Sequence, residues 1–311
     1  MRNLIYLCKY LEFFCLFFQF VSYSMGCIEL QYGTQKHQNN PVVVHILQID
    51  QEVETEEIGI IRQHHQACQQ KQHIADEHDA AKTAHSDIGS VITLLHLHVV
   101  LAIDRAGLVG DDGPTHHGVF DVGFIRQMPG MRILNPASLS EQREMLRWAV
   151  EDYDGPIAVR YPRGTEGSYT DSDWQGLEGP LVKCHRAGGD VALITYGSTL
   201  QNTLDAAEEL AKQGIEATVL RLLTVCPLPS EQAAAYLRQI KHAVVIEETA
   251  SGSGIREALA WDLTRLCPDC RVDGIDLGRD FVPHGSLKEL YARCGMDAAS
   301  IAAYTREVLA R

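Results

Sequence analysis

An alternation of apolar strands and helical segments, running from residue 97 to the C-terminus, limits the fold more than any other feature of this sequence. Residues 97–103 form a continuous apolar run rich in β-branched side chains, which is typical of a strand buried on both faces of a sheet. Similar runs occur at residues 156–161, 190–196, 217–222, 243–247 and 272–277. Strands that alternate with helices in this way indicate a mostly parallel sheet covered on both faces, so the predicted fold class is α/β.

Predicted helices occupy the intervals between these strands. Ser138 and Glu141 have the spacing of a capping box, which predicts a helix from this point to about residue 152. Other helical patterns end at a C′ glycine, Gly214, or lie at residues 230–239, 254–266, 287–294 and 298–309. A stretch rich in Gly, Ser, Thr and Asp at residues 165–180 predicts a linker between two units, at residues 97–168 and 180–311.

Residues 1–96 differ in character and are predicted to be an unassigned leader, either disordered or mis-translated. An apolar run at residues 11–21 resembles the core of a signal peptide, but Glu12 and Gln19 interrupt it and it is too short to span a bilayer.

His and Gln crowd residues 62–85, where His64, His65 and Cys68 could be drawn as a metal site. No amphipathic period supplies the scaffold that such ligands need, so no metal site is predicted.

Charge and cysteine content exclude several classes of function. A formal net charge of −14 argues against a general nucleic-acid binder, which needs a basic surface. Nine cysteines without a regular framework indicate free thiols in a reducing compartment, so we predict a cytoplasmic protein with no membrane partner. Cys267 and Cys270 have redox or zinc spacing, but no second pair lies nearby, and neither role is predicted. An acidic chain binds an anionic substrate only through a local cluster of cations or backbone N–H groups.

The candidate functional segment is the loop at residues 104–118, directly after the first predicted strand. Ligands bind at the carboxyl ends of strands in a parallel α/β sheet. Glycines in the loop let the backbone approach a ligand, while its Asp, Arg and His side chains supply charge and transfer protons. The alternative is an ordinary surface loop with solvated charges, and the position of the segment favours function.

Several motifs appear in order in this part of the chain. They are Asp-Arg-Ala-Gly at residues 104–107, Asp-Gly-Pro-Thr-His at 112–116, Phe-Asp at 120–121, Arg-Tyr-Pro-Arg-Gly at 160–164, Pro-Leu at 227–228, Glu-Glu at 247–248 and Phe-Val-Pro-His-Gly at 281–285. The set resembles the C-terminal half of the 1-deoxy-D-xylulose-5-phosphate synthases, a family of the transketolase superfamily. The resemblance covers about two thirds of the chain. It implies a partial pyrimidine-binding domain at residues 97–168 and a transketolase C-terminal-type domain at residues 180–311.

The resemblance also implies a reaction and four site residues. The family joins pyruvate to glyceraldehyde 3-phosphate with loss of carbon dioxide, using thiamine diphosphate and Mg²⁺. Arg105 and Arg163 match the arginines that hold the substrate phosphate, which would be the cationic cluster an acidic chain needs. Asp112 and His116 match the catalytic groups that face the reacting carbons, orient the intermediate and move protons.

Four other polar residues receive no catalytic role. His117 occupies a variable position of the family pattern. Glu248, Arg279 and His284 lie in the last domain, where single polar residues are more often capping or interface groups.

Most of the family's cofactor site has no counterpart in the sequence. No Gly-Asp-Gly segment with a suitable Asn, which would hold the diphosphate and metal, occurs before residue 97. The glutamate that activates the cofactor should lie near residues 53–57, where the surrounding sequence does not match, and Glu77 lies too close to Arg105. The cofactor-binding residues are therefore unknown, binding of the cofactor is doubtful, and the resemblance implies an incomplete copy that is inactive alone.

Three interpretations stay open. The chain is an incomplete enzyme, a non-catalytic fragment that forms a homodimer or binds a full-length partner, or one half of a split enzyme that pairs with an N-terminal half. A frameshifted or mis-started gene model would account for the leader, and it predicts that upstream DNA encodes the missing elements in another frame.

Overall fold

The computed structural model describes residues 29–31, 42–47, 92–164 and 167–311. The strands in chain order are β1 (Glu29–Gln31), β2 (Val42–Leu47), β3 (Val99–Ile103), β4 (Arg132–Leu134), β5 (Ile157–Arg160), β6 (Val182–Arg186), β7 (Val191–Thr195), β8 (Ala217–Leu222), β9 (Thr224–Cys226), β10 (His242–Ile246) and β11 (Arg271–Ile275). The helices are α1 (Asp121–Ile125), α2 (Leu139–Glu151), α3 (Leu200–Ala211), α4 (Ser230–Leu237), α5 (Arg256–Leu266), α6 (Leu287–Arg293) and α7 (Ala298–Leu309).

These strands form two sheets. The first has the order β1-β2-β3-β5-β4-β9, and its inner pairs β2–β3, β3–β5 and β4–β5 are parallel. The second has the order β11-β10-β7-β8-β6, in which only the β6–β8 pair is antiparallel. The prediction of a mostly parallel α/β fold is confirmed. The apolar strands form because they are covered on both faces, as the fully buried pattern of β7 and β8 indicates.

The predicted leader contributes to the first sheet. Its strand β2 pairs in parallel with β3, from Val42 opposite Val99 to Ile46 opposite Ile103. The apolar run at residues 11–21, the His-rich residues 62–85 and the expected glutamate position at residues 53–57 lie outside the described residues. The predicted domain boundaries therefore stay predictions.

The two units are joined by a strand and by a buried ion pair. β9 leaves the second unit and pairs with β4 at the edge of the first sheet. Arg221 on β8 makes two hydrogen bonds to the Glu141 carboxylate on α2, at 2.7 and 2.6 Å, and both side chains are fully buried. A second carboxylate, that of Asp173 in the predicted linker, accepts from the same guanidinium at 3.0 Å.

The same ion pair changes the predicted capping box of α2. Ser138 accepts a hydrogen bond from the Glu141 N–H, so the predicted N-cap is confirmed. The Glu141 carboxylate does not return to Ser138, as a capping box requires, because it binds Arg221 and the Ala137 N–H. The capping box predicted from Ser138 and Glu141 is therefore incomplete, because Glu141 binds Arg221, 80 positions further along the chain.

Within the described part of the chain, no helix is long and apolar enough to cross a membrane.

Candidate active site

The loop after β3 folds back on itself. Its residues Arg105 and Gly107 adopt the left-handed region, with φ of 58° and 78°. The Gly107 N–H donates to the Gly118 carbonyl at 2.8 Å, and the Gly118 N–H donates to the Arg105 carbonyl at 3.0 Å. A Cβ on Gly118 would lie 2.3 Å from that carbonyl oxygen, so only glycine permits this closure. The turn presents residues 105–116 at the carboxyl end of β3, where the sequence predicts the site.

Three of the four predicted site residues converge. Arg105 Nε donates to Asp112 Oδ2 at 3.3 Å, and Arg163 Nη1 donates to the same oxygen. The Arg105 side chain is 10% exposed and also pairs with Asp104, whereas the Arg163 side chain is 43% exposed. The two guanidinium groups therefore share one carboxylate at the mouth of the loop.

His116 lies on the same turn but is oriented by its neighbour. Its Nδ1 shares a hydrogen bond with the Thr115 hydroxyl at 3.0 Å, and its N–H donates to the Gly113 carbonyl. The hydrogen bonds found among the described residues do not join His116 to Asp112. The structure thus places the predicted imidazole beside the arginine–carboxylate cluster rather than within it.

His117 is a support of the loop. It is buried, and its Nδ1 accepts from the Val109 N–H at 3.1 Å. Burial lowers the pKa of the imidazole below its ordinary value of 6.5, against the Val282 and Pro283 carbonyls, which raise it.

This pKa predicts a loss of stability in acid. Because the folded-state pKa lies below 6.5, the unfolded chain takes up a proton first as pH falls. The contribution of His117 is full above the unfolded pKa and declines as pH drops toward the folded pKa. The His117→Asn variant keeps an acceptor for Val109 and should show a shallower decline when denaturant unfolding is measured between about pH 7 and about pH 5.

The exposed His284→Asn variant is the control, with the decline of the parent chain expected. A decline of equal steepness in both variants would contradict the assignment to His117.

Arg160, the first arginine of Arg-Tyr-Pro-Arg-Gly, holds the end of the loop from its position on β5. It is 4% exposed and donates to Asp121 at 2.7 Å and to the Gly118 carbonyl at 2.7 Å. Burial lowers the pKa of the guanidinium, but the Asp121 carboxylate, with smaller contributions from Tyr196 and Glu248, offsets this and the net pKa is raised. The motif therefore contains one structural arginine, Arg160, and one at the site, Arg163.

The three polar residues of the last domain have different surroundings. Glu248 is buried and accepts from the Leu108 N–H of the loop at 3.1 Å, so it lies at the contact between the two units. His284 is exposed, and its Cβ lies 3.4 Å from the position of a Cβ on Gly113. Arg279 lines a small cleft next to His117. The contact of Glu248 with the loop was not foreseen, because it joins residues 140 positions apart.

The thiols and metal-binding side chains form no further site in the described residues. No group of three or more His, Cys, Asp or Glu is placed there to hold a metal ion. Cys267 and Cys270 are buried, and burial raises the pKa of Cys270 to about 11. A thiol with so high a pKa is a poor nucleophile and ligand.

Comparison with known proteins decides the family. Two family models match the chain: the transketolase pyrimidine binding domain over residues 81–166, and the transketolase C-terminal domain over residues 181–301. The chain carries two domains of the transketolase family. The first match begins before residue 97, where the sequence alone placed the start of that domain.

Curated relatives narrow the resemblance to one branch of the family. The 1-deoxy-D-xylulose-5-phosphate synthase of Chlorobium luteolum is 37% identical over 217 residues, and synthase 1 of Geobacter sulfurreducens is 40% identical over 233 residues. The matches cover 70% and 73% of this chain but 34% and 36% of those relatives. The chain therefore spans about a third of their length, and it resembles their C-terminal part.

Solved structures share the fold. A chain described as a split gene transketolase, inactive β4 tetramer, has a TM-score of 0.63 at 24% identity, with 74% of this chain and 73% of that chain covered. The transketolase of Campylobacter jejuni has a TM-score of 0.56 at 20% identity, with 70% of this chain and 33% of that chain covered.

Proposed function

We propose that the chain supplies the substrate-phosphate part of a 1-deoxy-D-xylulose-5-phosphate synthase site, which joins pyruvate to glyceraldehyde 3-phosphate with loss of carbon dioxide. The observation that carries the proposal is the convergence of Arg105 and Arg163 on one oxygen of Asp112. Two guanidinium groups that meet at one anionic oxygen offer paired donors, which suit phosphate. The reaction is the one that the resemblance to this family implies, and the curated relatives are synthases of this name.

In this proposal, substrate phosphate competes with Asp112 for the two guanidinium groups. Once phosphate is bound, the carboxylate of Asp112 is released to face the reacting carbons, where it orients the intermediate. His116, half-buried at the rim of the loop, exchanges protons with the substrate oxygens. Arg105 is held by the fold, whereas the more exposed Arg163 adjusts to the ligand.

Thiamine diphosphate and Mg²⁺ are the cofactors of the proposed reaction, and the described residues do not fit their requirements. A divalent metal that holds a diphosphate needs a set of oxygen ligands, and no candidate cluster occurs among those residues. We therefore derive no step through the cofactor. We propose that its site comes from a second polypeptide.

The second candidate is half of a split enzyme. A chain of the same fold is described as a split gene transketolase and an inactive β4 tetramer. The match with this chain covers 73% of its length, so the two chains span a similar part of the fold, which supports this alternative. In that case the chain binds an N-terminal half and is inactive alone. A non-catalytic interaction fragment would bind the same partner without restoring activity.

Complementation tests the proposed function. We expect the chain alone to release no carbon dioxide from pyruvate in response to glyceraldehyde 3-phosphate. Coexpression with the N-terminal part of the Geobacter sulfurreducens synthase, up to the matched region, should restore this activity. Activity that survives Arg163→Ala in the complemented pair would contradict the assignment of the phosphate site. A stable pair without activity would favour the interaction fragment.

A further inference from the structure

We propose that Glu248 is a positioning residue for the substrate-phosphate site: from the C-terminal unit, its carboxylate holds the loop at residues 104–118 in the conformation that aligns Arg105 with Arg163. This inference rests on the proposed function, because it takes the arginine pair as the phosphate site. It adds a residue to that site which touches neither substrate nor cofactor.

The contact between Glu248 and the loop is a direct hydrogen bond that is buried from solvent. The Leu108 N–H donates to Glu248 Oε2 at 3.1 Å, and the two residues are 1% and 3% exposed. The Ser198 hydroxyl donates to the same oxygen at 3.4 Å. One carboxylate oxygen thus joins the loop of the first unit to the turn after β7 in the second.

Gly107 shows how closely the two surfaces fit. A Cβ at this position would lie 1.7 Å from Glu248 Oε2, and the residue has a φ of 78°. The carboxylate therefore lies against bare backbone, an approach that any side chain at residue 107 would prevent. The glycine of the Asp-Arg-Ala-Gly motif is explained by this contact as well as by its left-handed backbone.

The surroundings of Glu248 are costly for a carboxylate. Burial raises the pKa of Glu248, whereas hydrogen bonds from Tyr291 and Leu108 and the charge of Arg160 lower it. A buried carboxylate costs free energy even when it is paired, so an apolar side chain would serve packing alone equally well. An apolar side chain, however, cannot accept the hydrogen bond from the Leu108 N–H.

The contact at Leu108 acts on Arg105 through the two residues between them, Ala106 and Gly107. Arg105 is a non-glycine residue at a φ of 58°, a conformation that persists only when neighbouring contacts hold it. Those contacts include the Ala106 N–H on the Tyr161 carbonyl at 3.0 Å, the Gly107 N–H on Gly118, and the Leu108 N–H on Glu248. Without the last of these, the backbone after Arg105 is free to relax and the guanidinium loses its alignment.

A matched pair of variants in the full chain tests the inference. Glu248→Gln and Glu248→Met are both neutral and similar in length, but only Gln keeps an acceptor for Leu108. Inorganic phosphate is titrated calorimetrically into each variant, and denaturant unfolding is measured beside it. We expect the Met variant to bind phosphate about tenfold more weakly and the Gln variant to bind within about twofold of the parent chain. Amide exchange at residues 105–110 should quicken in the Met variant only.

The outcomes separate this inference from the proposed function. Equal phosphate affinity in the Met and Gln variants overturns the inference, as does a loss in the Met variant that disappears once the unfolded fraction is corrected. A parent chain that binds no phosphate overturns the proposed function, and amide exchange then decides. Faster exchange at residues 105–110 in the Met variant alone supports the positioning role, and unchanged exchange overturns it.

Discussion

Replacing Arg221 by alanine is expected to lower the free energy of unfolding by about 3–5 kcal/mol. The substitution leaves the Glu141 carboxylate fully buried without its bidentate partner, and it also removes a donor to Asp173. An uncompensated buried charge costs far more than the same ion pair contributes when intact. Because Glu141 lies on α2 and Arg221 on β8, the loss should also loosen the junction between the two units.

Denaturant unfolding of the Arg221→Ala variant measures this loss. Arg186→Ala is the matched control, since Arg186 pairs with Glu216 near the surface and both side chains are partly exposed. That pair is expected to contribute about 0–1 kcal/mol. A change below about 1 kcal/mol in the Arg221 variant would show that the buried cluster does not stabilise the junction.

Replacing Arg163 by alanine is expected to weaken the binding of inorganic phosphate by about 10–100-fold, because a charge-assisted donor is lost from the pair. The side chain is 43% exposed, so unfolding should change little. Asp112→Asn should act in the opposite direction and tighten phosphate binding, since it removes the carboxylate that competes for the same guanidinium groups.

Calorimetric titration with phosphate distinguishes these variants. Arg147→Ala is the control, because Arg147 is an exposed arginine on α2 away from the loop. It removes the same formal charge and is expected to leave the affinity near that of the parent chain. Equal weakening in the Arg147 and Arg163 variants would mean that net charge, rather than the arginine pair, governs phosphate binding.

The sequence predicts the long elements because their signals are local. Residues 97–103 and 217–222 are apolar throughout, and the structure has strands at Val99–Ile103 and Ala217–Leu222. β4 and β9 were not predicted, since each has only three residues; β9 pairs with β4 across a long stretch of chain, and β4 lies between β9 and β5. Such a strand has no periodicity of its own.

In the candidate site, too, residues with a local signal were predicted, and residues that act through long-range contacts were not. The position of the loop after a buried strand, together with the family motifs, predicted Arg105, Asp112 and Arg163, and the structure brings these three together. The supports of the loop were not predicted. Arg160 and Glu248 act through contacts with residues 42 and 140 positions away, which no local pattern in a single sequence reveals.

Calorimetric titration of the purified chain with thiamine diphosphate and Mg²⁺ tests the central claim most directly. That claim is that the chain carries the substrate-phosphate part of the site while the cofactor site comes from elsewhere. We expect no binding by the chain alone, and binding once an N-terminal half of the family is present. Saturable binding by the chain alone would contradict the claim, because the residues outside the described part would then complete the cofactor site by themselves.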